Sequence, residues 1–171
     1  MLSSLPAGSN VLIQGASRGI GLEFVRQLLA EPQVGRIFAA CRSPQTATAL
    51  TSLAAGDPRL QTLALNVSDE ESIRTAAAMV ASATPRLHLV INCAGILHDT
   101  ASGIAPEKRL ADVRQESLTS SFAVNAFGPL LVAKRFEALL AHKERAVFAS
   151  ISARVGSIGD NRLGGWYAYR G

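Results

Sequence analysis

Short apolar runs alternate with amphipathic helical patterns along most of this 171-residue chain. The first run is Val11–Ile13, and the residues after it place apolar side chains at helical spacing, at Ile20, Phe24 and Leu28. The later apolar runs lie at 37–41, 60–67, 87–91 and 146–151. Strands that alternate with helices form βαβ units, so this pattern predicts an α/β fold whose parallel sheet carries helices on both faces.

The composition is typical of one packed domain. Apolar residues make up 48% of the chain, charged residues 18% and aromatic residues 5%. The net charge of +4 comes from scattered side chains without a basic run, so a small anionic ligand is favoured as a partner over nucleic acid. The start of the chain has neither a charged region nor a long apolar stretch. We therefore expect a cytoplasmic protein with no membrane partner, and we expect no metal site.

The two cysteines, Cys41 and Cys93, are predicted at the ends of two strands that flank a third. Their backbones would then lie about 9 to 10 Å apart, because neighbouring strands are spaced by about 4.8 Å. A disulfide reaches only about 7 Å between α-carbons. Both cysteines are therefore expected to be free thiols.

Local signals predict several boundaries. Pro32 and Gly35 are expected to end the first helix, and Gly56, Asp57 and Pro58 are expected to break the chain before the third strand. Ser68 with Glu71 three residues later forms a capping-box pattern, which predicts the start of the next helix.

A glycine-rich segment, residues 15–21, lies between the first strand and the first helix. Glycine allows the backbone to turn and to approach a pyrophosphate closely, and a helix N-terminus offers unpaired N–H groups to it. The segment therefore predicts a dinucleotide site, although a glycine-rich turn that only packs helix against strand is the alternative. The candidate binding residues are Gly15, Ser17, Arg18, Gly19, Ile20 and Gly21.

The residue after the second strand bears on the type of dinucleotide. Sites that prefer NAD place Asp or Glu there for the ribose 2′-hydroxyl, whereas this chain has Arg42 after Cys41. A guanidinium pairs with a 2′-phosphate, and Arg18 in the glycine loop is placed to help. We predict NADP as the cofactor, with solvated surface charges as the alternative reading of both arginines.

Several motifs together resemble the short-chain dehydrogenase/reductase family. The glycine loop has its G-x-x-x-G-x-G spacing, Asn92 to Gly95 match its N-N-A-G segment with Cys93 as a departure, and Asn125 matches its helix asparagine. Tyr169 matches the tyrosine of Y-x-x-x-K. Residues 158–170 are most similar to the C-factor-like carbonyl reductases.

The resemblance implies a Rossmann-type, doubly wound parallel sheet in a single domain, residues 1–171. It also implies that this domain is C-terminally incomplete, lacking its last strands and the helix that would begin at Tyr169. An NADPH-dependent oxidoreductase is expected, acting on a carbonyl or alcohol substrate and forming a dimer or tetramer when full length. The alternative is a non-catalytic dinucleotide-binding or cell-signalling protein of the C-factor type. Further cofactor-binding residues implied by the resemblance are Asn66, Val67, Asn92, Ala94 and Gly95.

Carbonyl reduction needs a proton donor, which the resemblance assigns to the phenol of Tyr169. The family's lysine at the i+4 position would lie two residues beyond Gly171. The family's serine position, three residues before Gly156, holds Ala153. Ser152 is therefore the first candidate for holding the substrate carbonyl and Ser157 the second, with an ordinary strand-end hydroxyl as the alternative reading of Ser152.

Asn125 is expected to act through its backbone. Pro129 lies four residues later and has no N–H to donate, so it frees the Asn125 carbonyl from its helical hydrogen bond and kinks the helix. That carbonyl is predicted to hold a water molecule of a proton relay, and a merely tolerated kink is the alternative.

Overall fold

The computed structural model describes residues 5–99 and 103–170. Its strands are β1 (Ser9–Gln14), β2 (Val34–Cys41), β3 (Leu60–Ala64), β4 (Leu89–Asn92) and β5 (Val147–Ser150). Within the described residues they form one sheet in the order β3-β2-β1-β4-β5, and every neighbouring pair is parallel.

Helices connect the strands, and the long fourth connection contains a π-helical turn. The helices are α1 (Gly19–Leu29), α2 (Thr48–Gly56), α3 (Glu70–Ala83), α4 (Gln115–Phe122), α5 (Gly128–Leu140) and α6 (Tyr167–Arg170). The π-helical turn Ala123–Phe127 joins α4 to α5. The predicted α/β fold, a Rossmann-type doubly wound parallel sheet, is confirmed.

The apolar core lies on both faces of the sheet because successive side chains of a strand point to opposite sides. Val11 and Ile13 of β1 pack with the buried side chains of α1 and α2, whereas Leu12 packs on the other face with α3 and α5. All three are fully buried. The central strand is thus apolar at consecutive positions, as expected for a parallel strand that helices cover on both faces of the sheet.

One predicted boundary is wrong. Gly35 does not mark the end of the first helix but lies inside β2. A Cβ there would come within 2.8 Å of the Gly8 carbonyl oxygen, so the glycine permits a close approach of two backbones. The break predicted at Gly56, Asp57 and Pro58 is present, but it begins at Asp57 because Gly56 is the last residue of α2.

The capping box predicted from Ser68 and Glu71 is also wrong. Asp69 is the N-cap of α3, and its carboxylate accepts hydrogen bonds from the backbone N–H groups of Glu71 and Ser72, at 3.0 and 3.3 Å. A carboxylate caps a helix as well as a hydroxyl does, and here it lies one residue closer to the first turn. The helix was predicted, but its capping residue was not.

Three other predictions concern the cysteines, membranes and the last helix. Cys41 and Cys93 are both free, as predicted. None of the helices in residues 5–99 and 103–170 is long and apolar enough to cross a membrane. The helix expected to be lacking is present in part, because α6 already begins at Tyr167.

Candidate functional site

The site forms where β1 lies between β2 and β4. The chain runs from β1 outwards to β2 and β3, then crosses to the opposite side of β1 to form β4, so the connections leave β1 and β4 in opposite directions. A crevice opens at such a switch point, beyond the carboxyl ends of the strands. The segments after Gln14 and Asn92 form its two walls.

Gly15 begins the loop after β1 and is fixed by backbone contacts. Its N–H group and that of Ala16 donate to the Ala40 carbonyl oxygen at 2.8 and 3.0 Å. Its φ of +84° is in the left-handed region, and a Cβ there would lie 2.6 Å from the Ala94 nitrogen. Only glycine fits both conditions, so the two walls of the crevice come into direct backbone contact.

Gly21 lets the first turn of α1 pack on this loop. A Cβ at Gly21 would overlap the Gly15 carbonyl oxygen and lie 2.8 Å from the Gly15 carbonyl carbon. The helix N-terminus consequently sits directly over the loop, with its first N–H groups at the crevice.

The wall after β4 is held by side chains from two other elements. The backbone N–H of Ala94 donates to Oε1 of Gln14 at 3.2 Å. The amide of Asn125 forms two hydrogen bonds with the backbone of Ile96, each of 2.8 Å, and a third with the Ser121 hydroxyl at 3.1 Å. The wall is thus tied to β1 on one side and to the π-helical turn on the other.

One cavity of about 480 Å³ is lined by every predicted cofactor-binding residue except Asn92. The side chain of Asn92 is buried in the sheet, where its Nδ2 donates to the Ser150 hydroxyl at 3.3 Å. Only the backbone of Asn92, and not its side chain, is therefore placed next to the cavity. The bare backbone at Gly15 and the free N–H groups of α1 fit the pyrophosphate of a dinucleotide.

Arg18 and Arg42 line both this cavity and a second one, of about 410 Å³, that adjoins it. Both side chains are exposed. Among the residues that the structure describes, neither guanidinium pairs with a carboxylate, whereas Arg26, Arg59 and Arg74 each do. Two unpaired cations at one cavity favour an anionic group there.

The predicted catalytic residues lie outside the cavity lining. Asn125 contacts its wall through Ile96, and Ser152 is exposed after β5. Tyr169 is half-buried in α6. The structure therefore brings Asn125 to the site and leaves the Ser152 and Tyr169 side chains beyond its edge.

The kink predicted at Asn125 takes the form of the π-helical turn. The N–H of Gly128 donates to the Ala123 carbonyl oxygen, five residues earlier. A π-turn inserts one extra residue into a helix and is common at functional sites. The glycine at 128 also packs against Val67, because a Cβ there would lie 2.8 Å from the Val67 Cβ.

Several residues that line the cavities are not among those predicted from the sequence. Ser43 follows Arg42 in the smaller cavity, and Ser68 and His98 line the larger one. The position of Ser43 in the sequence could have indicated its role, because it directly follows Arg42, a predicted ligand of the anionic phosphate. His98 lies within residues 97–115, which show neither the spacing of apolar residues typical of a helix nor that typical of a strand. Such a segment does not indicate which of its side chains point inwards.

Cys93 lines the larger cavity, but its thiol is poorly suited to act as a nucleophile. Burial raises the pKa of the Cys93 thiol to about 11. Burial is also the main reason why the pKa of the Cys41 thiol is raised. A thiol reacts as its thiolate, which is scarce near neutral pH when the pKa is this high.

We expect both cysteines to be alkylated slowly. At pH 8 iodoacetamide should modify Cys93 at least tenfold more slowly in the folded chain than in urea, because unfolding restores an ordinary thiol pKa of about 8.5. Raising the pH towards 10 should speed the reaction of the folded chain, since the thiolate fraction rises tenfold per pH unit below the pKa. Mass spectrometry of timed samples measures both rates. Equal rates at pH 8 would contradict the burial of this thiol.

Comparison with known protein sequences identifies relatives over nearly the whole chain. The profile of the family described as short chain dehydrogenase matches residues 9–169. An uncharacterised oxidoreductase of Schizosaccharomyces pombe is 30% identical over 157 residues, which are 92% of this chain and 59% of the relative. The 1-hydroxy-2-glutathionyl-2-methyl-3-butene dehydrogenase of a Rhodococcus species is 28% identical, over 95% of this chain and 64% of the relative. The chain thus spans less than two thirds of the length of these curated relatives.

Solved structures with the same fold include carbonyl reductases. The NADPH-bound carbonyl reductase from chicken fatty liver has a TM-score of 0.83 and 33% identity, covering 97% of this chain and 65% of the other. The carbonyl reductase Sniffer of D. melanogaster has a TM-score of 0.84 and 28% identity, covering 96% of this chain and 68% of the other. The chain resembles these enzymes in both sequence and fold.

Proposed function

Since the chain belongs to the short chain dehydrogenase family, we propose that it binds NADPH and takes part in hydride transfer between the nicotinamide and a carbonyl or alcohol substrate. The observation that carries the proposal is that Arg18 and Arg42, beside the glycine loop, line the cavities without a carboxylate partner among residues 5–99 and 103–170. A relative with this fold, the chicken carbonyl reductase, is NADPH-bound.

The two arginines distinguish NADPH from NADH because the two cofactors differ only in the 2′-phosphate. A carboxylate after β2 would repel that phosphate, whereas Arg42 pairs with it by charge-assisted hydrogen bonds. Arg18, the N-cap residue of α1, approaches from the glycine loop. The Ser17 and Ser43 hydroxyls also line the smaller cavity and offer further donors.

The remaining cofactor-binding residues are proposed along the larger cavity. Gly15, Gly19, Ile20 and Gly21 surround the pyrophosphate at the start of α1. Asn66 and Val67, which follow β3, contact the adenine. Ala94 and Gly95 lie on the nicotinamide ribose side with the backbone of Asn92. Their small side chains leave room for the cofactor next to the wall after β4.

Bound NADPH supplies the hydride, and the chain supplies the proton and the orientation of the substrate. We propose Tyr169 as the proton donor and the Asn125 backbone carbonyl as the group that holds a water of the proton relay. Ser152 is the proposed partner of the substrate carbonyl, since Ala153 at the family's serine position carries no hydroxyl. Its exposure after β5 means that the loop 151–166 has to bring it inwards when substrate binds.

We expect NADPH to bind at least tenfold more tightly than NADH, a difference of about 1.4 kcal/mol. Isothermal titration calorimetry with both cofactors measures the ratio. Arg42→Ala should lower it at least threefold, because one of the two cations facing the 2′-phosphate is lost. The matched control is Arg74→Ala, which removes a guanidinium that pairs with Glu71 on α3 and should leave the ratio unchanged. Equal affinities in the unaltered protein, or an unchanged ratio in Arg42→Ala, would contradict the proposal.

A second candidate is a dinucleotide-binding protein without turnover, of the C-factor type. Ala153 favours it, because the residue that would hold the substrate carbonyl is missing from its expected position. Such a protein keeps the NADPH preference and loses only the chemistry. NADPH binding without oxidation of NADPH by any member of a broad aldehyde and ketone panel would identify it.

Within the family, residues 158–170 favour the C-factor-like carbonyl reductases. We further propose that the protein is cytoplasmic, that its chains pair into a dimer or tetramer, and that residues 1–171 form a single cofactor-binding domain.

A further inference from the structure

We propose that Glu107 is a positioning residue for Tyr169, holding the first turn of α6 and so fixing where the phenol lies relative to the cavity. The inference rests on the proposed function, in which Tyr169 donates the proton. Glu107 lies in the irregular segment between β4 and α4, some sixty residues before α6 in the sequence. Neither the family motifs nor the cavity lining includes it.

Glu107 is bound to the backbone directly before Tyr169. Its Oε2 accepts from the N–H of Ala168 at 3.3 Å, and its carbonyl oxygen accepts from the N–H of Trp166 at 2.6 Å. The first N–H groups of a helix have no partner within the helix. Glu107 therefore supplies acceptors that the short helix cannot supply itself.

The burial of Glu107 indicates that this contact is specific. The residue is only 5% exposed, and its Oε1 has no hydrogen-bond partner among the described residues. No cation pairs with it in that part of the chain. A buried carboxyl group is unfavourable unless polar groups compensate it. Among the residues that the structure describes, the N–H group of Ala168 is the one donor to this side chain, so the position of α6 and that of Glu107 depend on each other.

The backbone at Trp166 is held in an uncommon conformation. Its φ is +54°, the one positive φ of a non-glycine residue in the described part of the chain. Such a conformation persists where surrounding contacts determine it, and the hydrogen bond to the Glu107 carbonyl is one of them. The backbone conformation at Trp166 sets the direction in which α6 follows the preceding loop.

Arg170 holds the other side of Tyr169. Its guanidinium donates to the carbonyl oxygens of Gly165 and Val155, at 2.8 and 2.6 Å. Tyr169 thus lies between two residues, Ala168 and Arg170, that are each tied to other segments. Loss of the hydrogen bond between Glu107 and Ala168 would remove one of these two contacts, and the phenol could then move relative to the cavity.

The test uses the protein encoded by the natural open reading frame that contains this sequence, with Glu107→Ala and Glu107→Gln. Trp166 is the single tryptophan of residues 1–171 and directly precedes α6, so its fluorescence reports on the turn that the Glu107 side chain holds through Ala168, without any need for activity. Where the reading frame adds further tryptophans, these are first replaced by Phe. The matched control is Glu116→Ala, which removes an exposed carboxylate on α4.

We expect Glu107→Ala to lower kcat at least tenfold per NADPH-binding site while the Kd for NADPH changes less than twofold. Its Trp166 emission should shift to longer wavelength and become more easily quenched by acrylamide. Glu107→Gln keeps an acceptor oxygen and should retain at least a third of kcat with an unshifted spectrum. Counting NADPH-binding sites removes the effect of any unfolded fraction, and the Gln variant tests the contact should the Ala variant fail to fold.

An unchanged spectrum and kcat in Glu107→Ala, or a kcat that falls equally in Glu116→Ala, would overturn the positioning role. Should Glu107→Ala not fold, a Glu107→Gln variant that retains less than a third of kcat would overturn the role instead. The unaltered protein provides the separate check on the proposed function. Should it oxidise no NADPH with any carbonyl compound, that function fails, and the Trp166 spectra alone then decide whether Glu107 holds the turn.

Discussion

Gly21→Ala is expected to lower the free energy of unfolding by about 2 kcal/mol or more and to weaken NADPH binding at least tenfold. The added methyl group would overlap the Gly15 carbonyl oxygen, which is a backbone atom and cannot rotate away. Gly15 itself cannot retreat, because its α-carbon faces the Ala94 nitrogen at the opposite wall. The loop and α1 must therefore separate, which removes the N–H groups proposed to bind the pyrophosphate.

Thermal unfolding followed by circular dichroism measures the first effect, and we expect Tm to fall by about 4 to 8 °C or more. Gly56→Ala is the matched control, since an added Cβ there meets nothing within 4 Å. Alanine favours a helix over glycine, so this variant should be as stable as the unaltered chain or slightly more so. Equal stability of Gly21→Ala and the unaltered protein would show that the loop adapts, contrary to the contacts described above.

Tyr169→Phe is expected to reduce turnover of aldehydes and ketones by about 10² to 10⁴, the usual contribution of a positioned proton donor. The substitution removes one hydroxyl group and leaves the ring in place. NADPH affinity should change less than twofold. Stopped-flow or steady-state oxidation of NADPH, with the protein of the natural open reading frame, measures the effect.

Tyr167→Phe is the control for this substitution, because it removes the same atom from an exposed side chain two residues away. Its activity should equal that of the unaltered protein. A similar loss in both variants would point to a general disturbance of α6 rather than to proton donation. A fully active Tyr169→Phe variant would show that the proton comes from another group.

Residues 1–171 by themselves should turn over NADPH at less than about a hundredth of the rate of a chain that carries lysine four positions after Tyr169. An ammonium at i+4 shares the helix face of the tyrosine and stabilises the phenolate. The same NADPH assay compares the two lengths. Rapid turnover by residues 1–171 would remove the need for a lysine at that position.

The order of strands and helices was predictable from the sequence because their periodicities differ. The consecutive apolar residues Val11 to Ile13 indicate a strand covered on both faces, and the i, i+4 stripe from Ile20 indicates a helix. Boundaries were less predictable where one residue type serves two purposes. A glycine after a helical pattern predicts the end of the helix, yet Gly35 lies within β2, where its backbone approaches that of Gly8 closely.

Most of the proposed cofactor site could be located in advance because its residues follow strand ends. Arg42 comes directly after β2, and Ala94 follows β4, so parallel strands bring them to one edge. Glu107 could not be located, since its importance comes from contacts with Trp166 and Ala168, far along the sequence. A single glutamate in an aperiodic segment carries no local signal of burial. Side chains that act through tertiary contacts alone need the structure.

The position of β1 in the middle of the sheet also affects how the chain is made. β2 and β3 follow β1 soon after, but β4, its other neighbour, begins only at Leu89. During synthesis the second edge of β1 therefore stays open while residues 65–92 are added, for about 1 to 6 s. An open, apolar strand edge can pair with another chain. For that interval a newly made chain is vulnerable to aggregation, and a chaperone that covers this edge would protect it.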